Sequence, residues 1–135
     1  MKQKIHHDSA RRIAMYRSYV DDIDPTERLL YWVLMFALYP FFSESSHFVL
    51  NRILSKEGAV RGSPGWEIDF IEDECGDNVY LVWADPQCSG IEPAEQHFSV
   101  ENVRVAVRES LLYMGRSFPD KTSEISKALI DYKLT

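Results

Sequence analysis

"WEIDFIEDECGDNVYLVWAD", residues 66–85, decides the fold. Trp66, Ile68 and Phe70 alternate with Glu67, Asp69 and Ile71. After a polar stretch, residues 79–84 resume the alternation, with Tyr80 and Val82 on one face and Val79, Leu81 and Trp83 on the other. A two-residue period over a run of this length predicts a strand, and a Gly/Asp/Asn-rich break between two such runs predicts a turn. The stretch therefore reads as a hairpin spanning 66–84, turning at 72–78.

Upstream, "GAVRGSPG", residues 58–65, carries three glycines and a proline and reads as a loop. Downstream, residues 85–95 contain Pro86, Gly90 and Pro93 and read as a second loop, and residues 96–98 offer a short third strand. Ser99 then caps a helix whose apolar stripe is Val100, Val103, Val107, Leu111 and Met114. Gly115 falls near its end. Pro119 and Asp120 open a last helix with Ile125, Ala128, Leu129 and Tyr132 facing inward.

The N-terminal part reads as helical. Ile13, Tyr16, Val20 and Ile23 recur at steps of three and four, predicting an amphipathic helix over 4–22 with Arg11, Arg12 and Arg17 on its solvated side. Asp24-Pro25-Thr26-Glu27 has the form of a helix start. The run that follows, "ERLLYWVLMFALYPFF", is apolar nearly all round and belongs in the middle of a bundle, with Pro40 as its break. A third helix, capped from 43–46 and spanning about 45–56, directs Phe48, Val49, Ile53 and Leu54 inward, and Gly58 stops it. Helices and strands come in separate runs rather than alternating, which makes the class α+β. The expected order is N-terminal helices, a small antiparallel sheet and two C-terminal helices. A chain of 135 residues with 45% hydrophobic content suits a single domain, helical over 1–57 and hairpin plus helices over 66–135.

Charge is unevenly distributed. Residues 1–61 and 104–135 each carry a net charge of +2, whereas residues 62–103 hold ten carboxylates and no Lys or Arg. A field of this sign repels nucleic acid, whose binding needs cations on phosphates, and attracts basic partners. The N-terminus has no apolar signal-peptide core, and the longest apolar run, 29–42, is too short for a bilayer span. A cytoplasmic location is expected. Cys75 falls at the hairpin turn and Cys88 beyond its far end, about 20 Å away by strand rise. Two free thiols are expected.

Glycine-rich phosphate loops, nucleophile elbows, H-E-x-x-H and C-x-x-C pairs do not occur. Cys75 or Cys88 with His97 has no local support as a nucleophile and base. Asp69, Glu72 and Asp73 are carboxylates of the kind that hold a catalytic metal, but no lysine lies near them and a phosphate would meet like charge. His6, His7 and Asp8 lie near an exposed terminus. Neither an enzyme, a cofactor nor a metal site is expected.

What remains is a protein-docking reading, against the plainer one of a solvated hairpin. The base-free block contains Trp66, Phe70, Tyr80 and Trp83, and interface hot spots favour such rings beside complementary charge. The segments "EIDFIEDE…NVYLVW" and "FSVENVRVAVRESLLYMGRSFPDKTSEISKALIDY" resemble bacterial immunity proteins of contact-dependent growth inhibition and related polymorphic toxin systems. The likeness covers about 66–134. It implies a partner: a cognate toxin domain, commonly a nuclease or transfer-RNA cleaving domain with a basic cleft. It assigns no binding residues position by position. On this reading Glu67, Asp69, Glu72, Asp73, Glu74, Asp77 and Asp85 supply charge, joined by Glu92 and Glu95. Tyr80 and Trp83 are the expected anchors, although Trp66 and Trp83 also suit a core. The alternative is a regulatory or adaptor module for another basic protein. Strand 66–71 is also a candidate free edge for pairing with a partner.

Overall fold

The structure is a computed structural model that describes residues 18–38 and 44–135. The predicted α+β class is correct. In chain order the elements are α1 (Arg28–Leu38), α2 (Glu44–Leu54), β1 (Ala59–Gly62), β2 (Trp66–Glu72), β3 (Asn78–Ala84), α3 (Pro86–Ser89), β4 (Glu95–Ser99), α4 (Val100–Ser117), a 3-10 turn (Pro119–Lys121) and α5 (Thr122–Asp131). Residues 18–21 form the described end of the predicted first helix. The rest of that helix, the histidines at 6 and 7, Pro40 and the cap at 43 lie outside the described residues.

Helix α1 is central. Leu29, Leu30, Tyr31, Trp32, Val33, Leu34, Met35, Ala37 and Leu38 are all buried, on every side of the helix. A helix with no polar face must be enclosed. It packs against α4, α2 and the sheet. Its approach is held by Asp24, whose carboxylate accepts from the Thr26 amide (2.9 Å) and the Thr26 hydroxyl (2.7 Å). The predicted start signal thus builds a turn, and the helix begins one residue past Glu27. Those two bonds hold the Asp24 carboxyl below its ordinary value.

The sheet is a four-stranded antiparallel meander in the order β1-β2-β3-β4. Its inward face carries Val60, Trp66, Ile68, Tyr80, Val82, Ala84 and Phe98, all buried in the same cluster as α1. Tyr80 is a corner of that cluster: its hydroxyl donates to the Ile53 carbonyl at 2.8 Å, joining β3 to α2. Trp66 packs beneath Gly62 and donates from Nε1 to the Ser63 carbonyl at 3.0 Å. A Cβ on Gly62 would lie 2.7 Å from the indole, so this position takes no side chain.

Ser99 ends β4 and caps α4 at once, accepting from the Asn102 amide at 3.0 Å. Val103, Val107, Leu111 and Met114 are fully buried, as their spacing predicts. At the far end of α5, Lys133 has φ 56°, and the amide of Leu134 reaches the Leu129 carbonyl while that of Lys133 reaches Ile130. This paired closure is the Schellman arrangement. Arg104 from α4 donates to the carbonyls of Tyr132 and Lys133 and locks it.

Four expectations need correction. Residues 59–62 form strand β1 within the predicted loop, because the exposed ladder of β2 supplies pairing partners to a segment whose own composition favours a turn. Strand 66–72 is consequently interior and not an edge. Residues 86–89 form a short helix within the second predicted loop, capped by Asp85. Phe48 points outward, 63% exposed, beside Arg52 on the next turn, because Leu50 and Ile53 define the inward face of α2.

Two outcomes test this core. Tyr80→Phe leaves the Ile53 carbonyl unpaired in the interior and should lower unfolding stability by about 1–3 kcal/mol, read as a shifted urea midpoint at unchanged slope. Tyr31 has its pKa raised from 10.0 to about 12, first by burial and then by Tyr19 and Glu27. The neutral phenol is therefore favoured by folding. Its contribution is fully present below the unfolded value of 10.0 and is lost as pH rises through about 12. Absorbance titration at 295 nm should show a tyrosine fraction that ionises late, with stability falling across that window.

Candidate functional site

The described core-forming helices pack on one face of the sheet. The other face alternates out of the same four strands, so its composition follows from register. In one row Arg61, Glu67, Trp83 and Glu95 lie side by side across the sheet; in the next, Ala59, Asp69, Leu81 and His97; in the third, Ile71, Val79 and Ser99. Side chains directly opposite in an antiparallel pair share a face with Cβ atoms about 5 Å apart. Ile71, Val79, Leu81 and Trp83 belong neither to the core cluster nor to the half-buried side chains packed against it. Trp83 is 38% exposed. Leu81, Glu95, Gln96 and His97 line a shallow open depression. The result is an apolar strip bordered by three carboxylates, open among the described residues.

Each carboxylate of the base-free block has a place. Glu67, Asp69 and Glu95 stand on the open face. Glu72, Asp73, Glu74 and Asp77 cluster at the hairpin turn. Glu101 lies at that same end of the sheet, in the first turn of α4, where a helix N-terminus favours negative charge. Asp85 and Glu92 sit at the opposite end. The block is thus divided between one face and two ends.

Some of these groups are occupied in building the fold. Asp73 accepts from the amides of Cys75 and Asp77, both at 2.9 Å, and its own backbone pairs with Asp77, with Gly76 at φ 85° completing the turn. Asp85 accepts from the Gln87 amide at 2.9 Å and caps α3. Glu67 accepts from Arg61 Nη2 at 3.0 Å. Asp69 and Glu95 make no hydrogen bond or ion pair among the described residues, and neither does the Asp77 or Glu74 side chain. They are free charges, as are Glu72, Glu92 and Glu101.

Of the two expected anchors, Tyr80 is overturned. It is 2% exposed and bonded to Ile53, and no partner reaches it while the protein is folded. Its alternation partners face the core, and burial raises its pKa. Trp83, one residue from the inward row, is on the open face. Trp66 is core. Asp69, Glu72 and Asp73, the carboxylates weighed for a metal, are separated onto face, strand end and turn. No group of three or more His, Cys, Asp or Glu among the described residues could hold a metal. Both cysteines are free, as their predicted separation requires.

Sequence reasoning missed two features. Arg61 enters the acidic row through β1, although it immediately precedes the base-free block; the alternation of Val60 inward and Arg61 outward is its sequence signal. His47, near the start of α2, meets Glu124 of α5 at 2.6 Å. The pair borders a cleft of about 300 Å³ lined also by Lys127, Ala128, Asp131 and Tyr132. Nothing in sequence joins residues 77 positions apart.

No protein-family model, curated protein or solved structure matches the chain. No helix among the described residues is long and apolar enough to cross a membrane.

The two tryptophans of the hairpin should separate cleanly. Trp66→Ala removes a buried ring and should cost about 3–5 kcal/mol, whereas Trp83→Ala should stay within about 1 kcal/mol of the parent. Urea denaturation of both variants decides this, and equal losses would place Trp83 in the core.

Proposed function

We propose that this protein is a binding module that neutralises a bacterial toxin domain, an immunity protein acting in the cytoplasm through the open face of its sheet. The observation that carries the proposal is the row structure of that face. A partly exposed apolar strip, Ile71, Val79, Leu81 and Trp83, is bordered by Glu67, Asp69 and Glu95. An apolar centre with a charged border is the usual anatomy of a protein interface. The sign of the border selects a basic partner, and the toxins implied by the resemblance to immunity proteins commonly cleave nucleic acid with basic clefts.

The division of the carboxylates supports separate roles. Glu74 and Asp77, free and at the tip of the hairpin, steer an approaching basic surface from a distance and act on the association rate. Glu67, Asp69 and Glu95 meet the partner beside apolar side chains that exclude water, and act on dissociation. Asp73 and Asp85 hold the turn and the cap, so their loss disturbs the fold before it disturbs binding. No catalytic step is assigned to any of these residues.

The test uses the purified protein and the toxin domain encoded beside it. The triple reversal Glu67→Lys, Asp69→Lys and Glu95→Lys should weaken binding on the order of 100-fold and flatten its salt dependence, with most of the loss in dissociation. The double reversal Glu74→Lys and Asp77→Lys should slow association about two- to fivefold and leave dissociation unchanged. Circular dichroism confirms that each variant is folded. Unchanged affinity and unchanged salt dependence in the triple variant would reject the open face as the docking surface. Binding to a basic protein that is not a toxin would move the reading to a regulatory adaptor.

A further inference from the structure

Within the docking face, and resting on that reading of it, we infer a recognition point for one kind of side chain: an arginine of the partner, stacked on Trp83 between Glu67 and Glu95. Trp83 is directly opposite Glu67 on β2 and Glu95 on β4. Strands lie about 4.8 Å apart, so the two carboxylates flank the indole at about 10 Å from each other. A cation over the ring sits midway between two negative charges and over the negative face of a π-system. Cations bind aromatic faces within about 6 Å of the centroid.

The geometry favours guanidinium over ammonium. A planar guanidinium stacks flat on an indole and still directs its in-plane N–H groups sideways, toward carboxylates on both flanks. A lysine ammonium is a compact, strongly hydrated charge and gains less from the ring. A second copy of this chain is a poor occupant, because two such faces would bring six carboxylates together.

The row already contains a guanidinium. Arg61 extends from β1 with 74% of its side chain exposed and donates to Glu67 at 3.0 Å. It shows that a carboxylate of this row accepts a guanidinium in the geometry the fold provides. It also occupies Glu67 from the outer side. Among the described residues Glu95 has no such neighbour, because β4 is an edge strand. Arg61 therefore acts as an internal competitor that weakens one flank of the site, and its removal should improve binding of an arginine ligand. A salt bridge valued only for stability predicts no such gain.

The experiment uses the full chain labelled with nitrogen-15, titrated at low ionic strength with an acetylated tetra-arginine peptide and, separately, with the tetra-lysine peptide. The arginine peptide should shift the Trp83 indole N–H and the amides of Glu67, Leu81 and Glu95, and leave the indoles of Trp32 and Trp66 in place. It should bind about two- to fivefold more tightly than the lysine peptide. Trp83→Ala should abolish that preference while the variant stays folded. Arg61→Gln should tighten the arginine peptide about two- to fivefold. Equal affinity for the two peptides, shifts centred on residues 72–77, or no gain in Arg61→Gln would each overturn the proposal. If the peptides fail in this way while the triple charge reversal still weakens the toxin, the arginine point falls and the docking face stands. If the peptides behave as expected while the triple reversal leaves the toxin bound, the docking face falls as the toxin's site.

Discussion

The constraint on which this structure depends is the absence of a polar face on helix α1. Nine of its eleven residues are buried, on all sides. Burying each such side chain contributes roughly 1.5–3 kcal/mol relative to exposure, and that is lost wherever a side of the helix meets water. The remaining elements are arranged around that requirement. Helices α2 and α4 and the inward face of the sheet enclose α1, and the buried hydroxyl of Tyr80 ties the sheet to α2. Committing the helices to one face of the meander leaves the other face with no described element to cover it. The candidate site is the consequence of how the core is closed.

That consequence explains the composition of the open face. A strand half-buried on one side alternates, so every inward Trp66, Ile68 or Val82 forces an outward neighbour. The outward neighbours are Glu67, Asp69, Leu81, Trp83 and Glu95. An ordinary solvated face would carry mixed charges and few large apolar groups. This one has a strip of four apolar side chains and a border whose one Lys or Arg among the described residues, Arg61, is already paired with Glu67. The other carboxylates of the base-free block divide between structure and solvent: Asp73 and Asp85 close backbone turns, and Glu74 and Asp77 stand free at the hairpin tip. A charge block that is continuous in sequence is therefore three different things in space.

The hairpin, its turn, the Ser99 cap and the α4 stripe were all legible, because each rests on neighbours within a few residues. Asp24 likewise signalled a helix start, although a turn intervenes and the helix begins slightly later. Strand β1 was not legible. Four residues among glycines and a proline have no strand preference of their own, and they pair because β2 offers a ladder. The outward turn of Phe48 follows from which side of α2 meets Tyr80, a contact across 27 positions. The His47–Glu124 link spans still more.

By itself the sequence determined the class, the hairpin with its register of alternating faces, the buried central helix and the charge of the middle third, since local periodicity and composition act through adjacent residues. Only the tertiary structure decided which of two alternating faces became the core. That single choice buried Tyr80 and exposed Trp83, while the pairing of β1 on β2 placed Arg61 beside Glu67. The physical reason is that a strand's two faces are equivalent until a helix covers one of them.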